Sequence, residues 1–209
     1  MDDRVPSGLR SDAWVIRQNA LRLLGALHAF TESFAGPRAA NLVARIEARV
    51  EHGVSREAVG LTAIDGIGAG RAETLASGGL TTPGELVEAG VDELTRAGLT
   101  AGVAERVVES ARELPRITVE WGEFPTSIAH GENEMCEITV RTTAGSAAAG
   151  IRVTVNGVEM TATECYLTDE TAVPVGVFGA DEDLEFTVEV TFTELPLPPV
   201  RASRSVTVE

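Results

Sequence analysis

"AIDGIGAGRAETL", residues 63–75, sets three glycines among small residues and runs straight into an apolar-periodic stretch. Three readings compete for it: a nucleotide-cofactor loop, a turn that grips a nucleic-acid backbone, and a plain turn. A dinucleotide fingerprint requires G-x-G-x-x-G directly after a strand. Here Gly66, Gly68 and Gly70 are spaced G-x-G-x-G, and the preceding "SREAVGLTAI" (55–64) reads as helix. A P-loop requires a Lys after its last glycine, and all 17 basic residues of this chain are Arg. No nucleotide cofactor is therefore expected.

What remains is helix, Gly-apolar-Gly turn, helix. Gly66 and Gly68 are free to take positive φ and let two helices meet across a tight turn. Ile67 between them is read as pointing into the interhelical core, with Ala72 allowing close approach and Leu75 adding to the same core. The first backbone N–H groups of the second helix have no intrahelical partner, and the helix dipole favours an anion there. Gly66, Ile67, Gly68, Ala69, Gly70 and Arg71 are thus the candidate phosphate contacts, Arg71 supplying the charge. The competing reading is a structural hairpin that binds nothing, and Asp65 beside the turn favours it.

Outward from the turn the helical period continues in both directions. Ile16, Ala20, Leu23, Leu27, Phe30 and Phe34 recur at three- and four-residue steps and predict a helix over 12–34, with Arg17, Leu21 and Leu24 on a second face. Gly36-Pro37 breaks it, and Pro37 suits the first turn of a new helix whose core face is Leu42, Val43, Ile46 and Val50, stopping at Gly53. Further short helices are predicted over 55–64, 69–77, 83–89, 91–97 and 101–113. Thr82-Pro83-Gly84-Glu85 carries the capping-box spacing, and Leu114-Pro115 closes the helical part.

From 116 onward the period is two. "RITVEW", "CEITVRT", "IRVTVNGVEM", "TAVPVGVF", "LEFTVEVTF" and "RSVTVE" alternate apolar with polar residues and are rich in Val and Thr. Asn156-Gly157 between alternating runs is a hairpin-turn signal. About seven strands in about 95 residues predict an immunoglobulin- or fibronectin-like sandwich. The fold class is therefore α then β in separate domains: a helical segment at 1–54, part of a bundle, a second helical domain at 55–115, and a β-sandwich at 116–209.

Net charge is −15, with 32 acidic residues and no Lys. That combination predicts an extreme halophile, whose acidic surface keeps the chain soluble by self-repulsion that brine screens. Residues 1–116 hold 13 Arg against 16 acidic residues, and residues 117–209 hold 4 Arg against 16. A polyanion would therefore meet the first part rather than the second. The start, "MDDRVPSGLRSDAW", is acidic and polar, and no apolar run approaches the roughly 20 residues of a membrane span. A cytoplasmic protein with no membrane partner is expected. Cys136 and Cys165 are the only cysteines and are read as reduced. His28, His52 and His130 lie far apart, so no metal site is expected. No nucleophile–base pair or carboxylate constellation stands out, so no catalytic residue is assigned. The acid pairs Glu132/Glu134 and Asp181/Asp183 read as solvated surface.

Leu61, Ile64, Gly66, Ile67, Gly68, Ala72 and Leu75 resemble the helix-hairpin-helix motif, which implies binding to phosphates without base reading. A degenerate second copy is similar at Gly98-Leu99-Thr100 with Ala104 and Val107. Ala69 stands where the motif commonly has a basic residue. The wider stretch 48–86, carried by Arg49-Val50, Gly53-Val54, Leu61, Gly66-Ile67-Gly68, Arg71-Ala72 and Gly79, resembles the C-terminal part of superkiller-like superfamily 2 helicases, the group of archaeal DNA-repair and spliceosomal helicases. In several members a helical domain, a hairpin domain and an immunoglobulin-like domain follow in this order. The resemblance implies a non-catalytic accessory module whose partners are single-stranded or forked DNA or RNA, held weakly by the backbone, and helicase motor domains or other repair and RNA-processing proteins. Motor motifs are absent from the sequence. The resemblance also implies a strand-contacting helix, with Arg17 and Leu24 at the positions of an Arg and an aromatic. The alternative is a protein–protein interaction module with a purely structural hairpin.

Overall fold

The computed structural model describes residues 7–209; residues 1–6, the start of the acidic N-terminal stretch, lie outside the described residues. The chain divides into two compact units. The helical unit runs through Ala111 and takes in Glu194–Leu197, and the β-unit comprises Arg112–Thr193 and Pro198–Glu209.

In the helical unit, a 3-10 turn at Ser7–Leu9 leads into helix α1 (Arg10–Phe34), which packs on helix α2 (Pro37–His52). Pro37 opens α2, its fixed φ suiting the first helical position. Gly53 ends it in the left-handed conformation at φ 70°, its N–H bonding Arg49 O. Along α1, Leu21, Leu24, His28 and Thr31 are half-buried or buried. The predicted core stripe of α1 is instead exposed: Ile16, Leu23, Leu27, Phe30 and Phe34 all face solvent. In α2, Val43 is buried and Val50 half-buried, whereas Leu42 and Ile46 are exposed. Asn41 is buried, and its Nδ2 donates to Leu195 O at 3.2 Å and Leu197 O at 3.0 Å.

The predicted helix at 55–64 is replaced by turns and a 3-10 helix at Val59–Ala63. Its residues favour that outcome. Val59, Gly60 and Thr62 are weak helix formers, the Ser55 hydroxyl accepts from Ala58 N–H, and Thr62 Oγ1 donates to Val59 O at 2.7 Å. Helices α3 (Ala69–Ser77), α4 (Pro83–Arg96) and α5 (Ala101–Glu113) follow. Helix α4 contains a break at Gly90 (φ 70°, ψ −179°), so it comprises the two short helices read from the sequence. Leu61, Ile64, Leu75, Leu86, Leu94, Leu99 and Val107 are buried and form the core here.

The β-unit is a two-sheet sandwich of immunoglobulin-like type. Strands β1 (Arg116–Glu120), β3 (Asn133–Ala144) and β6 (Glu170–Phe178) form one sheet in the order β1-β3-β6. Strands β2 (Ser127–Ile128), β4 (Ala147–Val155), β5 (Val158–Leu167), β7 (Leu184–Phe192) and β8 (Val200–Val208) form the other, in the order β2-β8-β7-β4-β5. Alternation sets the core: Ile138 and Val140, Val173, Val175 and Val177, Ile151 and Val153, and Phe186, Val188 and Val190 all turn inward. Asn156 (φ 49°) and Gly157 (φ 80°) both take positive φ and join β4 to β5 in the tight turn the sequence signals. The two-residue strand β2, parallel to β8, has no sequence signal.

Candidate nucleic-acid interface

The turn of residues 63–75 builds from two backbone–backbone bonds and one backbone N–H held by a side chain. Ile67 N–H donates to Ile64 O at 3.1 Å, closing a β-turn with Gly66 at its third position. Gly66 there has φ +85°, a value that a side-chain-bearing residue takes only under strain. Asp65 N–H donates to Ser110 Oγ at 3.1 Å, and Ala72 N–H donates to Gly68 O at 3.0 Å, starting α3. Ile67 is buried beneath the turn as the spacing predicts, and Ala72 is fully buried.

Gly68 differs from expectation. It precedes α3 with φ −94° and ψ 173°, extended backbone open to any residue, so only Gly66 uses the left-handed region. A Cβ placed on Gly68 or Gly70 meets no atom within 4 Å. Neither backbone strain nor packing therefore demands glycine at these two positions.

The start of α3 receives no side-chain cap. Helix α4 is treated in the opposite way. Thr82 Oγ1 accepts from Glu85 N–H, and the Glu85 carboxylate accepts from the N–H groups of Thr81 and Thr82 at 2.7 and 2.9 Å. Burial raises the Glu85 pKa, but the bonds from Thr81 and Thr82 outweigh it, and the carboxyl lies below its ordinary value. The α3 terminus thus keeps its first-turn N–H groups and its dipole available to an anion, whereas α4 satisfies its own.

Arg71 is exposed and folds back so that Nη1 donates to Gly66 O at 2.7 Å. Its guanidinium sits against the turn rather than extending from it. Ala69 is half-buried and Gly70 exposed. Glu73, two residues after Arg71, is drawn to the other side, where its carboxylate accepts from Ser55 N–H and Ser55 Oγ. Ser110 and Ser55 shape the site from 45 and 18 residues away, and neither carries a sequence signal.

A second hairpin follows. Gly98 (φ 102°) and Leu99 donate to Thr95 O and Leu94 O, and Val103 and Ala104 both donate to Thr100 O at the start of α5. Leu99, Ala104 and Val107 are buried as the degenerate copy predicts. Arg106 Nε donates to Gly102 O at 3.1 Å, again folding a guanidinium onto a glycine carbonyl.

Arg17 is not in the turn. Its guanidinium lies at the C-terminus of α2, where Nε donates to Val50 O at 3.2 Å and Nη2 donates to Glu51 O. It thereby satisfies carbonyls that end a helix and faces the negative end of its dipole. Leu24, seven residues on, is half-buried.

The four arginines that follow residue 117 have partners within the β-unit. Arg141 pairs with Glu120 and Glu170, Arg152 with Glu159, and Arg201 with Glu189. Arg204 donates to Phe124 O and lies 5.9 Å from the centre of the Phe124 ring. Arg141 holds the Glu120 carboxyl below its ordinary value. Cys136 and Cys165 lie on different sheets, and burial pushes both thiols up. Among the described residues, no three or more His, Cys, Asp or Glu are grouped to hold a metal ion, and no helix is long and apolar enough to cross a membrane.

Residues 59–113 match a family model described as a SAM-like helix-hairpin-helix tandem, from the 3-10 turn to the end of α5. No curated protein matches the chain. Among solved structures, the CARDB domain of the PF1109 protein from Pyrococcus furiosus, in complex with di-metal ions, is 21% identical over 46% of this chain and 90% of that one, with a TM-score of 0.41. A beta-glucosidase from Listeria innocua is 14% identical over 45% of this chain and 16% of that one, with a TM-score of 0.29. The alkylpurine DNA glycosylase AlkC from Pseudomonas fluorescens, bound to DNA containing an abasic site analog, is 10% identical over 90% of this chain and 76% of that one, with a TM-score of 0.27. Overlaps of this size carry no functional inference.

Proposed function

We propose that the chain is a non-catalytic nucleic-acid-binding and scaffolding module, whose first hairpin holds a strand by its phosphate backbone without reading bases. The observation that carries this reading is the pair Gly68 and Gly70. Gly70 costs helix stability in the first turn of α3, Gly68 stands at the N-cap without a capping side chain, and neither φ nor packing requires glycine at either position. Its effect is to leave the backbone N–H groups of an uncapped helix start open to an anion. The tandem helix-hairpin-helix match supports the same reading.

The finer reading follows the helicase resemblance. The module serves an ATP-dependent superfamily 2 motor in DNA repair or RNA processing, in the cytoplasm of a halophilic archaeon, with the sandwich as a protein-docking surface. In molar salt the Debye length is about 3 Å, and binding by counterion release weakens steeply. The grip is then short-range and weak, and the motor supplies most of the hold.

A second reading is a protein-interaction module with a structural hairpin. Arg71 committed to Gly66 O and Asp65 exposed beside the turn favour it. Fluorescence anisotropy with labelled single-stranded, forked and duplex DNA and RNA separates the two, comparing the natural chain with Arg71→Glu at several salt concentrations. Sequence-independent binding lost in Arg71→Glu supports the nucleic-acid reading. Absence of binding at every salt, or indifference to the substitution, refutes it.

A further inference from the structure

We propose that the exposed stripe of α1 is the interface for a second copy of this chain, two α1–α2 hairpins closing into a four-helix bundle. Ile16, Leu23, Leu27, Phe30 and Phe34 are between 45% and 76% exposed, and the Phe30 and Phe34 ring centroids lie 4.9 Å apart with their planes tilted by 40°. At roughly 150–250 Å² for a whole aromatic side chain, and somewhat less for Leu or Ile, these five leave on the order of 600 Å² open. Leu42 and Ile46 of α2, also exposed, add to the open apolar surface. A typical monomer's largest apolar patch is roughly 300–600 Å², and each side of a stable interface contributes roughly 800 Å².

Charge selects the occupant. Arg17, Arg22 and Glu32 fall at least about 100° from the centre of the stripe on a helix of 3.6 residues per turn. The face between Ile16 and Phe34 therefore carries no charge with which to recognise a charged partner. Residues 10–52 hold six Arg against four acidic residues in a chain of net charge −15. Two copies meeting here bring together the segment of the chain that is not acidic, whereas meeting through the sandwich opposes two strongly negative surfaces.

Geometry supports self-association. The stripe positions 16, 20, 23, 27, 30 and 34 are spaced 4-3-4-3-4, which reads the same in both directions. An antiparallel pair sets Ile16 opposite Phe34 of the other copy, Ala20 opposite Phe30, and Leu23 opposite Leu27. Every stripe residue meets a stripe residue, with the small Ala20 receiving a ring. This is the isologous two-fold arrangement commonest among oligomers, and antiparallel helix pairs close into bundles of this kind.

Sedimentation velocity on the full chain over a wide concentration range, at low and at molar salt, tests the proposal. The expected result is a reversible dimer of twice the 22.0 kDa chain mass. Leu27→Asp, at the centre of the stripe, should raise the dimer dissociation constant at least about tenfold, and Phe34→Ser, at the last residue of α1, should raise it by a smaller, measurable factor. Far-UV circular dichroism identifies any variant that fails to fold, and Phe34→Ser, at a helix end, keeps the test informative if Leu27→Asp does fail. A chain that stays monomeric throughout overturns the proposal and leaves the stripe to a different protein. So does a dimer that both folded variants retain.

Discussion

Arg71 Nη1 and Gly66 O are 2.7 Å apart across the hairpin turn, so the one cation in the first turn of α3 is anchored to the turn itself. A guanidinium has five N–H donors, and this contact orients it while leaving capacity for a phosphate. Replacing Arg71 with Ala should weaken single-strand binding about equally for all sequences. It should also lower the slope of log affinity against log salt by about 0.7, the value of one phosphate contact on a single strand. Anisotropy titrations across a salt series read both quantities. An unchanged slope assigns Arg71 to turn stability alone.

Gly70→Ala separates stability from binding. The added methyl meets open space, and Ala is the better helix former, so the thermal midpoint should rise by the equivalent of roughly 0.5–1 kcal/mol. Affinity for a strand should fall, because the methyl stands over the N–H groups of the uncapped terminus. Equal affinity in a stabilised variant would sink the phosphate-binding account of this turn.

Loss of the capping box should depend on pH in a definite direction. The Glu85 carboxyl lies below its ordinary value in the fold. Its contribution is therefore complete above the ordinary Glu pKa of about 4.3 and is lost as pH falls through the lower folded value. Thr82→Ala should cost about 1 kcal/mol at neutral pH. The deficit of Glu85→Ala relative to the natural chain should be largest at neutral pH and shrink as pH falls below the ordinary Glu range and the natural carboxylate protonates. Urea unfolding at a series of pH values measures both, and a deficit that grows on acidification contradicts the assignment.

Arg17→Ala should act on the fold. It removes the donors to Val50 O and Glu51 O at the end of α2, at a cost of about 1 kcal/mol. Strand affinity should hold under conditions where the variant is folded. A loss of affinity without a loss of stability would return Arg17 to the strand-contacting role implied by the helicase resemblance.

What the sequence discloses here is what lies close along the chain. The Thr82–Glu85 box closes over three residues and the Asn156-Gly157 turn over two, and both stand as read. Alternation from Arg116 onward gives the sandwich because each strand's period of two is its own property. Amphipathicity of α1 is equally local, but burial requires a partner, so the stripe from Ile16 to Phe34 is legible as a face and illegible as exposed. The helix expected at 55–64 yields to a 3-10 turn through local bonds of Ser55 and Thr62 and through the grip of Glu73 on Ser55, a contact 18 residues distant. At the candidate site the glycine spacing locates the turn. The lack of a cap on α3, the anchoring of Asp65 N–H by Ser110 and the fold-back of Arg71 emerge only in three dimensions.

The pairing of Arg141, Arg152, Arg201 and Arg204 limits how the sandwich can change. Turning any one of them outward to meet a polyanion releases a cation only by abandoning something else. For Arg141, Arg152 and Arg201 what is abandoned is a carboxylate, and Glu189 is only 6% exposed. A buried charge stripped of its partner costs several kcal/mol, so freed positive and stranded negative charge arise together. Single rotamer changes at these three arginines therefore yield no net attraction. A polyanion-binding surface on this sandwich is therefore built from added cations, and none of the 209 residues of this chain is Lys.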